Sequence, residues 1–311
     1  MNHFLNIHSL PDIHKTIQEA IALKRNPHQY QTLGVHKTLV LLFFNTSLRT
    51  RISTELAAKN LGMNVIILNV NDAWQLEFGD GVVMNFQTSE HIREAAQVIS
   101  QYASIIGVRA FPSLTDKTKD QLDWVLNAFA TLASVPVINL ESAIAHPLQG
   151  LADAITIAEQ SRQEKPKVVL TWAPHIKALP HAVANSFIQT MQLQHVDLSI
   201  ANPEGYDLDP KIVKNTPIFH DQEQALKNAD FVYAKNWSSF SDYGKILNPT
   251  LDWILTKEKL GKAKFMHCLP VRRNVVVEDA VLDSSQSLCI EQSNNRTYAA
   301  QTVLKQLLES L

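Results

Sequence analysis

The sequence predicts an α/β fold with two domains, each a parallel sheet flanked by helices. Short apolar runs alternate with amphipathic segments along the chain, as in the strand–helix–strand units of parallel sheets. This alternation stops near Pro147 and then begins again. The chain has 311 residues, which suits two domains of ordinary size. We therefore expect one domain over residues 1–146 and a second over residues 147–296.

The first predicted domain begins with the apolar run TLVLLFF at residues 38–44. A short, continuous apolar run of this kind is typical of a strand that is buried on both faces. Runs of this kind predict strands over 38–44, 64–70, 105–108 and 135–139. The amphipathic segments between them predict helices over 52–61, 90–103 and 121–129.

The second predicted domain repeats the pattern. It has expected helices at 148–160, 182–191 and around 223–227, and expected strands at 167–171, 196–201, 231–234 and 264–267. The last segment, 297–311, has leucines at helical spacing. We expect it to form a helix that packs back on the first domain.

Composition excludes several classes of function. With 28 basic and 30 acidic residues, the chain lacks the basic excess of general nucleic-acid-binding proteins. No apolar stretch is long enough to span a membrane, and the N-terminus does not read as a signal peptide. Cys268 and Cys289 form no C-x-x-C pair, so no zinc ribbon is expected. The expected location is the cytoplasm, with both thiols reduced.

The most informative motif is NTSLRTR at residues 45–51, between a predicted strand and a predicted helix. Unpaired N–H groups and the helix dipole favour anions at a helix N-terminus. The hydroxyls of Ser47 and Thr50 and the guanidinium of Arg49 would complete a phosphate site. The alternative is a Ser/Thr helix cap followed by surface arginines.

Two further motifs follow predicted strands. The histidine of HPLQ, His146, precedes a proline and could donate to a developing oxyanion; a hinge turn with a solvated histidine is the alternative. The segment HCLPVRR, residues 267–273, lies at a strand end, where open α/β sheets bind ligands. Its backbone carbonyls could accept from an –NH₂ group. An inert buried cysteine or a Cys/His hydrolase site are the other interpretations.

Two single residues are weaker candidates. Trp74 lies in a polar stretch and could anchor a ligand or simply pack at a rim. Arg109 follows a predicted strand, as a ligand-binding residue would, but could equally form a surface ion pair.

Taken together, these segments resemble the aspartate/ornithine carbamoyltransferase family. The patterns S-x-R-T-R at 47–51, Arg109, H-P-x-Q at 146–149 and H-C-L-P at 267–270 occur in the family's order and spacing. The resemblance implies a carbamoyl-phosphate domain followed by an amino-acid domain. It also implies a homotrimer with active sites shared between subunits, in which the loop bearing Trp74 reaches a neighbour's site.

The sequence departs from the ornithine-using members at one informative position. Those enzymes have a D-x-W-x-S-M-G loop that binds the free α-amino group, whereas Lys235 stands here at the acidic position. A cation there suits a substrate whose α-nitrogen is acylated and uncharged. In the acetylornithine branch a glutamate occupies the position of Ser89, so the small neutral serine favours a longer, anionic acyl group. We therefore expect N-succinylornithine as the substrate, with N-acetylornithine and ornithine as alternatives.

The resemblance also implies residue roles. No metal and no organic cofactor are expected. Arg49, Arg109 and His146 are the expected catalytic residues, and Ser47, Leu48, Thr50, Trp74, Gln149, Cys268, Leu269 and Arg296 join them in binding carbamoyl phosphate. The acylated ornithine would contact Trp74, Ser89, Glu141, His175, Lys235 and Arg272. A non-catalytic carbamoyl-phosphate-binding protein is the alternative from another class.

Overall fold

The computed structural model describes residues 1–70, 74–85, 87–248 and 252–311, and it confirms the α/β fold with parallel sheets flanked by helices. The chain divides into two compact units. The first unit comprises Met1–Leu148 and Arg296–Leu311, and the second comprises Gln149–Asn295. Among the described residues, no helix is both long and apolar enough to cross a membrane.

The first unit contains a four-stranded parallel sheet in the order β2-β1-β5-β6. Every residue of the central strand β5 is buried, as expected for a strand covered on both faces. Every residue of the edge strand β6 is also buried, and Phe4 pairs with Ile138 along it. The strands are β1 (Thr38–Phe43), β2 (Asn64–Asn69), β5 (Ile105–Arg109) and β6 (Val137–Glu141), with β3 (Leu76–Glu77) and β4 (Glu90–His91) paired separately. The helices are α1 (Ile13–Arg25), α2 (Arg49–Asn60), α3 (Ile92–Tyr102), α4 (Lys117–Gln121) and α5 (Trp124–Leu132).

The second unit contains a five-stranded parallel sheet in the order β11-β10-β7-β8-β9. Its strands are β7 (Lys167–Trp172), β8 (Asp197–Ala201), β9 (Ile218–Phe219), β10 (Phe231–Lys235) and β11 (Lys264–Met266). Its helices are α6 (Pro147–Gln160) from Gln149 onward, α7 (Ala182–Met191), α8 (Pro210–Val213), α9 (Gln222–Leu226), α10 (Lys257–Leu260), α11 (Asp279–Leu282) and the first part of α12 (Cys289–Leu308).

Helix α12 begins eight residues before the position that the leucine pattern predicted. Its first turns contain buried polar residues, including Gln292 and Asn295, rather than an apolar stripe. Hydrophobic periodicity therefore detected only the second part of the helix. In that second part, which belongs to the first unit, Gln301 accepts a hydrogen bond from Asn60 of α2 at 3.0 Å.

The single helix predicted over 121–129 was wrong, because α4 and α5 are separated at Asp123. This residue has a φ of +50°, in the left-handed region that breaks a helix. Its buried carboxylate accepts hydrogen bonds from the Ser142 hydroxyl at 2.6 Å and the Ala143 N–H at 3.0 Å. Burial outweighs these bonds and raises the pKa of Asp123 to about 6. Asp123 thereby fixes the segment that links Glu141 to His146.

Parallel pairing brings the carboxyl ends of neighbouring strands to one edge of each sheet. In the first unit this edge has the start of α2 after β1, Arg109 at the end of β5 and Glu141 at the end of β6. In the second unit, the segments after β7, β10 and β11 begin at Ala173, Asn236 and His267. Most predicted site residues lie at these two edges.

Candidate active site

The N-terminus of α2 is open to an anion. The helix begins at Arg49, three residues earlier than predicted, and its N-cap residue is Leu48. A leucine side chain cannot accept a hydrogen bond, so the Ser/Thr cap considered for this motif does not form at the N-cap position. The N–H groups of the first turn have no partner within the helix. Arg49 and Thr50 are the first two residues of that turn, as a phosphate site requires.

Thr50 is the meeting point of two arginines from distant parts of the chain. Its Oγ1 accepts hydrogen bonds from Arg109 Nη1 at 3.0 Å and from Arg296 Nη2 at 2.5 Å. All three side chains are buried. Arg109 comes from the end of β5, and Arg296 comes from α12. The structure thus brings together three residues that the resemblance assigned to carbamoyl phosphate.

Glu141 belongs to the same cluster, although the resemblance assigned it to the amino-acid substrate. Its Oε2 accepts a hydrogen bond from Arg109 Nη1 at 2.6 Å and lies 3.5 Å from His146 Nε2. Glu141 and His146 lie on either side of residues 142–145, the segment that Asp123 fixes by accepting hydrogen bonds from Ser142 and Ala143. A carboxylate at this place can orient Arg109, and it balances part of the buried positive charge.

His146 is held in its neutral form. Its Nε2 lies 3.3 Å from Arg296 Nη2, and because an arginine only donates, that nitrogen accepts. Burial, followed by the positive charges of Arg296 and Arg109, holds the pKa of His146 well below its usual range. The 3.5 Å contact between Glu141 Oε2 and His146 Nε2 is therefore not an ion pair. The hinge-turn alternative with a solvated histidine is wrong, because His146 is buried.

The second unit has a separate group of basic side chains. His175 Nε2 accepts a hydrogen bond from Arg272 Nε at 3.2 Å. Partial burial lowers the pKa of His175, and the charges of Lys235, Arg272 and Lys177 lower it further. The side chain of Lys235 is buried, and its Nζ donates to the carbonyl oxygen of Asn236 at 2.9 Å. This group suits an anionic ligand.

The structure also separates Arg272 from Arg273, which the sequence could not do. Arg273 donates to the carboxylates of Asp279 and Asp283 at 2.7–2.9 Å. Arg272 instead faces His175. Arg272 is therefore the arginine that belongs to the cationic group.

Three residues that the resemblance assigned to carbamoyl phosphate lie in the second unit. Gln149 is buried in the first turn of α6. Cys268 and Leu269 follow β11, and Leu269 has a φ of +52°. The N–H of Leu269 donates to Nδ1 of His267 at 2.9 Å, which gives this turn a fixed shape.

Trp74 and Ser89 lie near the small β3–β4 pair. Trp74 is half-buried, and its indole N–H donates to the carboxylate of Glu90 at 2.8 Å. Ser89 is exposed, and its backbone N–H donates to the carbonyl of Gln75 at 2.9 Å. The sequence does not predict a role for Glu90, because only the fold shows that Glu90 contacts Trp74. Within the described ranges, no cluster of three or more His, Cys, Asp or Glu residues could hold a metal ion.

Two family models match most of the chain. The carbamoyl-P binding domain of aspartate/ornithine carbamoyltransferase matches residues 2–159, and the Asp/Orn binding domain matches residues 180–307. The chain is 44% identical to the N-succinylornithine carbamoyltransferase of Bacteroides fragilis over 317 residues, which cover 100% of each chain. It is 37% identical to the N-acetylornithine carbamoyltransferase of Xanthomonas axonopodis pv. citri, covering 99% of this chain and 96% of that protein.

A solved structure supports the same relationship. It is an N-acetyl-L-ornithine transcarbamylase in which a glutamate is replaced by serine, complexed with carbamyl phosphate and N-succinyl-L-norvaline. The TM-score is 0.91 at 36% sequence identity, with 99% of this chain and 100% of that chain covered.

The environment of His146 predicts a histidine that resists protonation. In a ring-resolved NMR titration, with His146→Gln to assign the signal, His146 should protonate with a midpoint below 6.5. Below pH 6.5 the unfolded chain binds this proton and the folded chain does not. The wild type should therefore lose stability relative to His146→Gln as pH falls below 6.5, with no such change above it. A midpoint at or above 6.5 would contradict the buried, arginine-flanked site.

Proposed function

This chain belongs to the aspartate/ornithine carbamoyltransferase family, and we propose that it transfers the carbamoyl group of carbamoyl phosphate to the δ-amine of N-succinylornithine. The convergence of Arg109 and Arg296 on Thr50, beside the open start of α2, is the observation that supports this function best. A buried cationic cluster next to the N-terminus of a helix suits a phosphate dianion.

In this proposal the first unit binds and activates carbamoyl phosphate. Ser47, Leu48, Arg49 and Thr50 donate to the phosphate, and Arg296 adds positive charge. Arg109 and His146 act on the carbamoyl oxygen. His146 Nε2 accepts from Arg296, so the neutral ring has its proton on Nδ1 and must exchange tautomer if Nε2 is to donate to the carbonyl. Glu141 holds Arg109 in place for this step.

The reaction needs no separate base. The neutral δ-amine attacks the carbamoyl carbon, and the new C–N bond produces a tetrahedral oxyanion that Arg49, Arg109 and His146 stabilise. The C–O bond to phosphate then breaks. The departing phosphate takes the proton that the amine loses. Catalysis thus depends on positioning and electrostatics.

The cationic group of the second unit favours an acylated substrate. Lys235 and Arg272 offer positive charge, His175 adds a polar ring beside Arg272, and no acid takes part in the contacts described above. A free α-ammonium would be repelled there, whereas an acylated α-nitrogen is uncharged and leaves a carboxylate to bind. N-Succinylornithine adds a second carboxylate. The names of the relatives agree with this substrate class, because they are carbamoyltransferases of N-succinylornithine and N-acetylornithine.

The proposal also includes a homotrimer with shared sites. At the N-cap of α2, on α2 itself and on the edge strand β2, five apolar side chains are each 40–65% exposed: Leu48, Ile52, Leu56, Ile66 and Leu68. Exposed apolar side chains of this kind favour an interface, and a second copy of this chain would cover them. Leu48 adjoins Arg49, so the copy would border the phosphate site. Both cysteines are free thiols, which agrees with the cytoplasmic location we propose.

Replacing Arg49 tests the phosphate site. Arg49→Ala should weaken carbamoyl-phosphate binding by about 1.5–3 kcal/mol, the value of a hydrogen bond to a charged group, and should lower kcat further. The measurements are calorimetric binding and steady-state kinetics. Arg25→Ala, which removes an exposed charge at the end of α1, is the control and should behave as wild type. Unchanged binding and activity in Arg49→Ala would refute the site.

Subunit mixing tests the shared site. Trp74→Ala and Arg49→Ala should each be folded and nearly inactive. After subunit exchange, about a quarter of the sites in an equal mixture would combine an intact Trp74 with an intact Arg49 from its neighbour, as a symmetric interface requires. Activity should therefore return to about a quarter of the wild-type value. If exchange is confirmed by mass spectrometry and no activity returns, Trp74 does not act across an interface.

Ser89 tests the acyl specificity. The solved complex with a succinyl ligand has serine in place of a glutamate, and we take that position to be the one that Ser89 occupies here. Ser89→Glu should lower the ratio of kcat/KM for N-succinylornithine to that for N-acetylornithine by about fivefold or more, because like charges repel. Ser89→Ala adds no charge and should keep the wild-type preference. An unchanged ratio in Ser89→Glu would show that this residue does not contact the acyl group.

A further inference from the structure

Asp153 is a buried carboxylate on α6, one helical turn after Gln149. Its Oδ1 accepts a hydrogen bond from Gln149 Nε2 at 2.7 Å and another from Gln292 Nε2 at 2.6 Å. All three residues are fully or almost fully buried, and all belong to the second unit. One carboxylate oxygen therefore contacts the amide groups of two glutamines.

This contact decides which end of each amide is available to a ligand. A glutamine amide has a donor end and an acceptor end, whereas an ionised carboxylate only accepts. Asp153 must therefore face the –NH₂ group of Gln149, and the carbonyl oxygen must face elsewhere. That oxygen, Oε1, is buried and accepts no hydrogen bond from the described residues. A buried acceptor of this kind requires a donor, because leaving it unsatisfied costs free energy.

The second glutamine extends the effect to the turn after β11. With its –NH₂ group on Asp153, Gln292 presents its Oε1 to the backbone N–H of His267, which donates at 2.9 Å. His267 Nδ1 then accepts from the N–H of Leu269. Leu269 has positive φ, a conformation that a non-glycine residue adopts only when its surroundings impose it. Asp153 thus helps to set the backbone of the Cys268–Leu269 turn.

We infer that Asp153 is a positioning residue that presents Gln149, and the turn at Cys268 and Leu269, as hydrogen-bond acceptors for the –NH₂ group of the carbamoyl donor. The inference rests on the proposed function. It assigns Asp153 a part in substrate selection: a carbamoyl group has two N–H donors for these acceptors, whereas the methyl group of an acetyl phosphate has none. Without the carboxylate, the amide of Gln149 can rotate and present its own –NH₂ group, which repels a donor.

The test compares binding of carbamoyl phosphate and acetyl phosphate, which differ only in –NH₂ against –CH₃. Calorimetry or competition gives Kd for each compound with the full-length enzyme. In Asp153→Leu, the preference for carbamoyl phosphate should fall by about fivefold or more, the loss expected of one hydrogen bond. The Kd for acetyl phosphate should change little. A purely structural role would weaken both compounds equally and leave the preference unchanged.

Three further variants complete the experiment. Gln149→Ala should lower the preference to a similar extent. Thr156→Val is the matched control: Thr156 is buried one turn further along α6 and accepts from Asn295 of α12 at 3.0 Å. It should keep the wild-type preference. If Asp153→Leu does not fold, Asp153→Asn has the same shape with a weaker, neutral acceptor, and the preference should fall by about twofold or more.

The outcomes separate the inference from the proposed function. A wild-type chain that fails to bind carbamoyl phosphate refutes the function itself. If the wild type prefers carbamoyl phosphate and the folded Asp153 variants keep that preference in full, the function stands and the inference is wrong. A loss of preference confined to Gln149 and Asp153 variants, with Thr156→Val unchanged, confirms it.

Discussion

The buried meeting of Arg109 and Arg296 at Thr50 is the interaction on which the first unit depends. Two guanidinium groups in a poorly solvated place are costly unless their charge is balanced. Glu141 supplies one negative charge, and the proposed phosphate supplies the rest. The topology serves this arrangement, because adjacent parallel strands place Arg109 and Glu141 at the sheet edge where α2 begins. The C-terminal helix returns to the first unit with Arg296 as its first residue there.

Burial beside these two arginines also controls the protonation of His146. A catalytic histidine near pH 7 is often protonated in part, but burial beside two arginines keeps this one neutral. A neutral imidazole can donate to a carbonyl oxygen without adding a third cation to the cluster. Positive charge is therefore concentrated on the arginines. The second unit has the same feature in weaker form, since His175 lies among Lys235, Arg272 and Lys177 and its pKa is also lowered.

Sequence reasoning located residues that follow strands and failed where contacts join distant parts of the chain. The motifs at 45–51, 146–149 and 267–270 were visible because apolar strands precede them and family patterns mark them. Arg296 was assigned by resemblance, but its contact with Thr50, 246 positions away, could not be read from the sequence. Glu141 was assigned to the amino-acid substrate by resemblance, and its contacts with Arg109 and His146 could not be read from the sequence either. The sequence does not single out Asp153 or Gln292, because a polar residue that is buried in the fold cannot be distinguished in a helical sequence from one that is exposed.

Product formation by the native enzyme tests carbamoyl transfer to an acylated ornithine most directly. The enzyme would be supplied with carbamoyl phosphate and, separately, with N-succinylornithine, N-acetylornithine or ornithine, and the products would be measured by mass spectrometry together with released phosphate. We expect one acylcitrulline formed per phosphate released, with kcat/KM highest for N-succinylornithine, lower for N-acetylornithine and lowest for ornithine. Ornithine as the best substrate, or phosphate release without any citrulline-type product, would contradict the account.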